Sequence, residues 1–174
     1  MTVFPGNRGL ETEPVTIRPA SAADSDAIWA ILEPTLRAGE TYCLPRNMTR
    51  EQALAYWFAP THEVFVAADT DRILGTYYLR PNQLGGGSHI ANCGYMTALD
   101  SFGRGIARAM CLHSLDHAKS HGFRAMQFNI VISTNHRAIH LWETLGFTTL
   151  ARIPEAFHHP TLGYVDTLLM FQTL

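Results

Sequence analysis

The sequence has no apolar run approaching the roughly 20 residues that cross a bilayer, and its opening, MTVFPGNRGLETEP, lacks a basic stretch followed by an apolar one. It has no run of Lys or Arg either. Its 13 basic and 15 acidic side chains leave a formal net charge of -2, which gives no electrostatic footprint for nucleic acid or an anionic membrane. Cysteine is scarce and odd in number: Cys43, Cys93 and Cys111 are widely spaced with no CxxC, so neither a disulfide framework nor a Cys-rich zinc site is indicated, and small buried hydrophobes are the simpler reading. Internal repeats and low-complexity segments are absent. So is the phosphate-binding pattern GxxxxGK[ST]. These absences leave a soluble cytoplasmic protein whose partners are small molecules or peptides, and 174 residues suffice for one domain with a sizeable core.

What is present reads as mixed α/β. Residues 1–14, with Pro5, Gly6, Gly9 and Pro14, form a flexible arm before a single domain over 15–174. VTIR (15–18) is a short strand, and a helical pattern runs from Ser21 through Ile28, Ile31 and Leu32 until Pro34 bends or breaks it. The loop AGETYCLPRN follows, and Thr49-Arg-Glu-Gln52 is a capping box that opens a second helix. VFVAA (64–68) and ILGTYYLR (73–80) make a hairpin across DTDR, and HIANCGYMT (89–97) is a further strand. A helix opens at Gly103 and ends at Gly122; RAMQFNIVI (124–132) is a strand, NHRAIHLWETL (135–145) a helix stopped by Gly146, and FTTLARI and YVDTLLMF are the last two strands.

The turn between strand 89–97 and its helix carries chemistry. Where a strand hands over to a helix, the first backbone N–H groups lack partners and the macrodipole adds partial positive charge, so the turn suits an anion. Gly103 and Gly105 allow unusual torsions there and let a bulky phosphate approach, with Arg104 and Arg108 beside them.

The order strand, GRGIA, helix, strand, NHRAIHLWETLGF resembles the GCN5-related N-acetyltransferase (GNAT) superfamily. The resemblance runs from IRPAS (17–21) to the last strand. It implies an α/β fold with a central mixed, mostly antiparallel sheet of about seven strands, splayed between the fourth and fifth and flanked by about four helices, in agreement with the elements read along the chain. It implies acetyl-coenzyme A as cosubstrate and no metal. Met96, Thr97, Gly103, Arg104, Gly105, Ile106 and Ala107 would then hold the cofactor, with the pyrophosphate on the turn, Asn135 on the pantetheine arm and Trp142 near the thiol. The superfamily turn reads [Q/R]-x-x-G-x-[G/A]. Gly105 and Ala107 match it, whereas Phe102 stands where Gln or Arg is usual. Trp142 stands where many members place a Tyr that protonates the departing thiolate, and an indole N–H is a donor only.

On the acceptor side, Asn92 and Asn129 lie on the two strands that border the reaction centre, among apolar neighbours; they either satisfy one another and nearby backbone or serve the substrate. SHIANCGYM, FNIVISTN and AFHHPTLGYVD resemble the branch containing the fungal proline-analogue acetyltransferases, which acetylate the ring nitrogen of azetidine-2-carboxylate. That resemblance implies a detoxifying enzyme in which Asn92 holds the substrate and Asn129 supports it. Glu40, Tyr42, His158 and Tyr164 are further candidates for the acceptor pocket, although His158-His159, in the loop before the last strand, equally suits a surface turn. Tyr77 and Tyr78 read as core or sheet-face residues. His113, His117 and His121 share a helix face, as do His136 and His140; without a carboxylate or thiol at ligand spacing they read as solvated.

The reaction expected is direct acetyl transfer to the amine of a small amino acid or proline analogue. Backbone N–H groups near a bulge at residue 96 would stabilise the developing oxyanion, and no base is evident. The expected partners are a small-molecule amine and, as a homodimer, a second copy of the chain, with no nucleic acid and no membrane. Transfer to a peptide N-terminus or an antibiotic amine, or a sensor that binds acetyl-coenzyme A without turnover, are the alternatives.

Overall fold

The computed structural model describes residues 15–70 and 72–174, so the expected arm at 1–14 lies outside the described residues. Seven strands form one sheet in the order β1-β2-β3-β4-β5-β7-β6. The strands are β1 (Thr16–Pro19), β2 (Glu63–Ala68), β3 (Ile73–Pro81), β4 (Ile90–Thr97), β5 (Ala125–Ile132), β6 (Thr148–His159) and β7 (Gly163–Thr173). Helices α1 (Ser25–Ala38) and α2 (Arg50–Trp57) precede β2, α3 (Ile106–Ser120) crosses from β4 to β5, and α4 (His136–Thr144) links β5 to β6. None of these helices is long and apolar enough to cross a membrane.

The sheet divides the molecule into two cores. Strand β3 is buried on both faces, and its alternating side chains belong to different cores. Tyr77 and Leu79 pack with Met110 and Cys111 of α3, whereas Tyr78 packs with Leu32 and Leu36 of α1 and Trp57 of α2. Gly75 is required by packing, because a Cβ there would lie 2.8 Å from the Met110 side chain.

Every neighbouring pair is antiparallel except β4 and β5, whose parallel pairing covers only Ile90↔Ala125 and Ala91↔Met126. β4 stays paired with β3 as far as Gly75↔Thr97. The two central strands therefore part company after Ala91. Where the ladder stops, the Asn92 side chain takes over: its Nδ2 donates to the Gln127 carbonyl at 2.8 Å. This is the expected splay between the fourth and fifth strands.

Four local features differ from the sequence expectation. Pro34 neither breaks nor ends α1, which continues to Ala38 and closes on Gly39 at φ 67°. Buried Leu36, and Arg37 donating to the carbonyls of Arg46 and Met48, hold its last turn in spite of the lost N–H. Helix α3 begins at Ile106 rather than Gly103, because Gly103 and Gly105 sit at φ +80° and +76°, which a right-handed helix excludes. Strand β6 runs on to His159, so His158 and His159 belong to a strand and not to a loop; a two-residue irregularity after Ile153, with Glu155 at φ 51° and its N–H bonded to Asp166, lets pairing with β7 resume at Phe157. The register of β3 on β4 is regular throughout, so there is no bulge at residue 96; the bulge lies across the fork, in β5 between Phe128 and Val131.

Candidate active site

A cleft of about 840 Å³ opens where β4 and β5 diverge, within the range of small-molecule sites. One end is backbone. The chain leaves β4 through a 3-10 turn (Leu99–Ser101), and Gly103 and Gly105 then bring it into α3. A Cβ on either glycine would meet nothing within 4 Å, so the left-handed torsions demand glycine and the space beyond is open. No side chain caps α3, which leaves the first-turn N–H groups of Ile106, Ala107 and Arg108 without intrahelical partners at the cleft wall. Arg137 of α4 also lines this end, its guanidinium 4.7 Å from the Phe102 ring centroid. The Arg104 side chain does not line it: its charge is committed to Asp69 at 3.1 Å.

The other end is aromatic. Tyr56 of α2 and Tyr78 of β3 approach hydroxyl to hydroxyl at 3.3 Å, and His62 stacks on the Tyr78 ring at 4.1 Å. The Tyr78 ring lies across Gly94, where a Cβ would fall 2.6 Å from it. Tyr42, from the loop after α1, donates to the Tyr95 carbonyl at 2.8 Å. Ala98 N–H bonds Leu74 and Asn82 N–H bonds Ile90, so the even-numbered backbone groups of β4 face β3 and the odd ones face the fork. Tyr42 thus satisfies a carbonyl stranded by the splay, and the N–H groups of Cys93, Tyr95 and Thr97 face the same gap. Burial pushes the phenols of Tyr42, Tyr78 and Tyr95 well above their ordinary range, which keeps them neutral donors.

Of the residues singled out in the sequence, Glu40, Tyr42, Asn92, Met96, Thr97, Gly103, Gly105, Ile106, Ala107, Asn129, Asn135 and Trp142 all line this one cleft. Asn92 and Asn129 do not bond each other. Asn129 receives Gln127 Nε2 at 2.8 Å and donates to Asn82 Oδ1 at 2.7 Å, so both of its polar ends are engaged within the protein. Asn92 keeps its Oδ1 without a hydrogen bond among the described residues. Asn135 Oδ1 caps α4 by accepting from Ala138 N–H. His158 and Tyr164 face one another across β6 and β7, rings 4.7 Å apart, and line no part of the cleft. His159 accepts from the turn at Thr161.

Residues 26–147 match the sequence pattern of the Acetyltransferase (GNAT) family. The chain belongs to this family. It is 30% identical over 153 residues to N-acetyltransferase aca1 of Schizosaccharomyces pombe, a match covering 77% of this chain and 72% of that protein. Its fold superimposes on a GCN5-related N-acetyltransferase from Kribbella flavida with a TM-score of 0.88 and 41% identity, over 92% of this chain and 98% of the other. It also superimposes on yncA of Salmonella typhimurium, solved with its cofactor acetyl-CoA, with a TM-score of 0.81 at 23% identity over 93% and 95% of the two chains.

Within this GNAT chain the position of the missing tyrosine is filled by packing. Trp142 is buried between Tyr95 and Phe128, ring centroids 5.2 and 5.1 Å away. Nor does Tyr95 replace the missing acid, because its hydroxyl lies 2.7 Å from Ser114 Oγ, whose own proton goes to the Cys111 carbonyl at 2.7 Å. The Tyr95 proton is thereby held inside the protein, by Ser114 Oγ or the Met126 sulfur at 3.5 Å.

Sequence spacing missed three groups. Arg80 and Tyr78 line the acceptor end although the strand pattern marked them only as sheet residues; their register opposite Asn92 and Gly94 exposes the role. Arg137 lies in the first turn of α4, whose orientation spacing alone does not give. Outside the cleft, the expectation that no carboxylate accompanies the helical histidines is corrected. β2 runs beside α3, and the ligand atoms of Glu63, His117 and His121 lie within 4.8 Å of one another, with His117 Nε2 at 2.8 Å from Glu63.

Proposed function

We propose that this GNAT protein transfers acetyl from acetyl-coenzyme A directly to the amine of a small amino acid or proline analogue. The observation that carries the reading is the state of the Asn92 amide. A carbonyl only accepts, so the bond to Gln127 fixes Nδ2 inward and leaves Oδ1 of this largely buried residue as an unpaired acceptor on the cleft wall. An amine needs such an acceptor to orient its N–H and aim its lone pair. Asn129, through Gln127, steadies the strand that carries the Asn92 partner.

The glycine-turn end fits the cofactor. Open space over Gly103 and Gly105, unpartnered N–H groups at the start of α3, and Arg108 and Arg137 nearby suit a pyrophosphate. The free Nδ2 of Asn135 and the fork between β4 and β5 suit an amide-bearing arm. When bound, acetyl-coenzyme A supplies an activated acetyl group. The chain supplies the rest. Asn92 Oδ1 holds the amine, and the fork-facing N–H groups of β4, rather than a bulge, are the donors available to a developing negative oxygen. Glu40, the one carboxylate lining the cleft among the described residues, is the candidate we assign to take the ammonium proton. Free thiols have a pKa near ~8.5, so the departing thiolate is tolerable without an assigned acid.

Release of free thiol from acetyl-coenzyme A, measured across ring amino acids such as azetidine-2-carboxylate, primary α-amino acids, a dipeptide and an aminoglycoside, tests the reading. Turnover confined to the amino acids supports it. Turnover with the dipeptide or aminoglycoside alone replaces it with a peptide or antibiotic acetyltransferase, and cofactor binding with no thiol release for any amine makes the protein a sensor.

A further inference from the structure

Arg80 has no acidic partner among the described residues. Six arginines of the described chain, at positions 18, 37, 50, 72, 104 and 152, form ion pairs with carboxylates; Arg80, like Arg46, Arg108, Arg124 and Arg137, does not. Its Nε is fully buried without any hydrogen bond, and the only contact of its Nη1 is to the adjacent Pro81 carbonyl at 3.5 Å, the outer limit of a bond. The groups whose charge it influences are His62 and Tyr78, both aromatic and neither an anion. A half-buried guanidinium kept without an anion is a costly arrangement unless something outside the chain completes it.

Its position says what that is. Arg80 on β3 is the direct cross-strand partner of Asn92 on β4, so the two side chains stand on the same face of the sheet, with Cβ atoms about 5 Å apart. Both line the cleft. The phosphate-binding turn begins beyond Thr97, five residues further along β4, which at about 3.4 Å per residue is roughly 17 Å away. Arg80 is therefore at the wrong end for the cofactor phosphates, which have Arg108 and Arg137 nearby. A cation beside the acceptor for an amine is the arrangement that grips an α-amino or α-imino acid at both termini.

Resting on the reading that this cleft acetylates a small amine, we propose that Arg80 binds the acceptor carboxylate, so that the substrate is a free α-amino or α-imino acid held by the Arg80–Asn92 pair. A planar guanidinium can make paired hydrogen bonds to a carboxylate through its two Nη groups, and a neutral carboxamide or the peptide bond of a polypeptide N-terminus leaves that charge unmatched. Arg80 is thus the residue that separates free amino acids from peptides.

The test compares kcat/KM for azetidine-2-carboxylate and for its carboxamide in the wild type, Arg80→Gln and Arg80→Lys, with the KM for acetyl-coenzyme A and the melting temperature measured alongside. The wild type should favour the acid by about 10- to 100-fold, the range of a charge-assisted hydrogen-bond pair. Arg80→Gln should lose that factor on the acid, mainly in KM, and leave the carboxamide and the cofactor KM unchanged, while Arg80→Lys recovers part of it. Equal use of acid and carboxamide by the wild type overturns the proposal while leaving amine acetylation standing, as does an equal loss on both in Arg80→Gln. Thiol release with neither compound nor any other α-amino acid, but with the dipeptide or the aminoglycoside, overturns both the proposal and the amino-acid reading beneath it.

Discussion

At the glycine-turn end the cleft is walled by backbone from one continuous stretch, Gly103 to Arg108, whose N–H groups do not depend on which side chains surround them. At the aromatic end it is walled by side chains from separate segments: Tyr42 from a loop, Tyr56 from α2, Tyr78 and Arg80 from β3, Asn92 from β4. The first end tolerates departures. Phe102 and Trp142 replace the usual polar residues, yet the torsions, the open space and the uncapped helix remain. The second end has no such reserve, since each polar atom is supplied once. In the proposed reading, a site built this way keeps the donor of the reaction constant and lets the acceptor vary.

The comparison breaks most sharply at Asn92. In the proposed reading Asn92→Ala removes the acceptor for the amine and should lower kcat/KM by about 10²–10³-fold, the scale of a lost hydrogen bond combined with a misplaced nucleophile. It also strips the Gln127 carbonyl of its partner, so a stability loss of about 1–3 kcal/mol should accompany it. Calorimetric affinity for acetyl-coenzyme A should stay near wild type. Activity that merely follows the folded fraction through denaturant titration would make Asn92 a strut for the fork and nothing more.

A smaller break is expected at the other end. Gly105→Val forces a β-branched residue into φ +76°, costing about 1–2 kcal/mol, and puts methyl groups where the protein itself has none. Affinity for acetyl-coenzyme A should fall by about 10- to 100-fold. Gly122→Val is the matched control: it has φ +83°, an equally open surround, and no place in the cleft. The two variants should melt alike and bind differently. Equal binding would remove the pyrophosphate from this turn.

The same contrast explains what could be read before folding. The turn was legible because its two glycines, the helix and the preceding strand are consecutive, so spacing alone implies geometry. The fork was legible in outline through resemblance, and the Thr49 capping box through its own local chemistry, with Gln52 N–H on Thr49 Oγ1 at 3.3 Å. Arg80 was not legible, because its meaning lies in a register with Asn92 twelve positions on and in its lack of an ion pair among the described residues. Glu63 reaches His117 across fifty-four positions, which no helical spacing reveals. The length of β6 was misjudged at Pro154, where an irregularity with a positive φ at Glu155 carries pairing past a residue that ordinarily ends a strand.

Tyr42→Phe sharpens the comparison inside the aromatic end. The ring stays against Trp57 and only the bond to the Tyr95 carbonyl is lost. Stability should fall by about 0.5–1.5 kcal/mol and kcat/KM by about 2- to 10-fold, because the stranded carbonyl can be rehydrated from the cleft. The loss should be equal for azetidine-2-carboxylate and its carboxamide. A loss confined to the acid would move Tyr42 from wall to carboxylate site.

The smallest effect is expected where family resemblance would place the largest. Trp142 occupies the position of a proton donor, but its indole has no proton to give near neutral pH, and it sits among Tyr95, Phe128 and Phe147 as a packing residue. Trp142→Phe keeps an aromatic face there and opens a small void, for a stability cost of about 1 kcal/mol. Because the thiolate leaves without an assigned acid, kcat should stay within about threefold of wild type, with its pH profile unmoved. Trp142→Tyr supplies the usual phenol and serves as the complementary probe. If that hydroxyl raised kcat by an order of magnitude with cofactor affinity unchanged, thiolate departure would be limiting in the natural protein, and the glycine-turn end would prove less indifferent to its side chains than its backbone suggests.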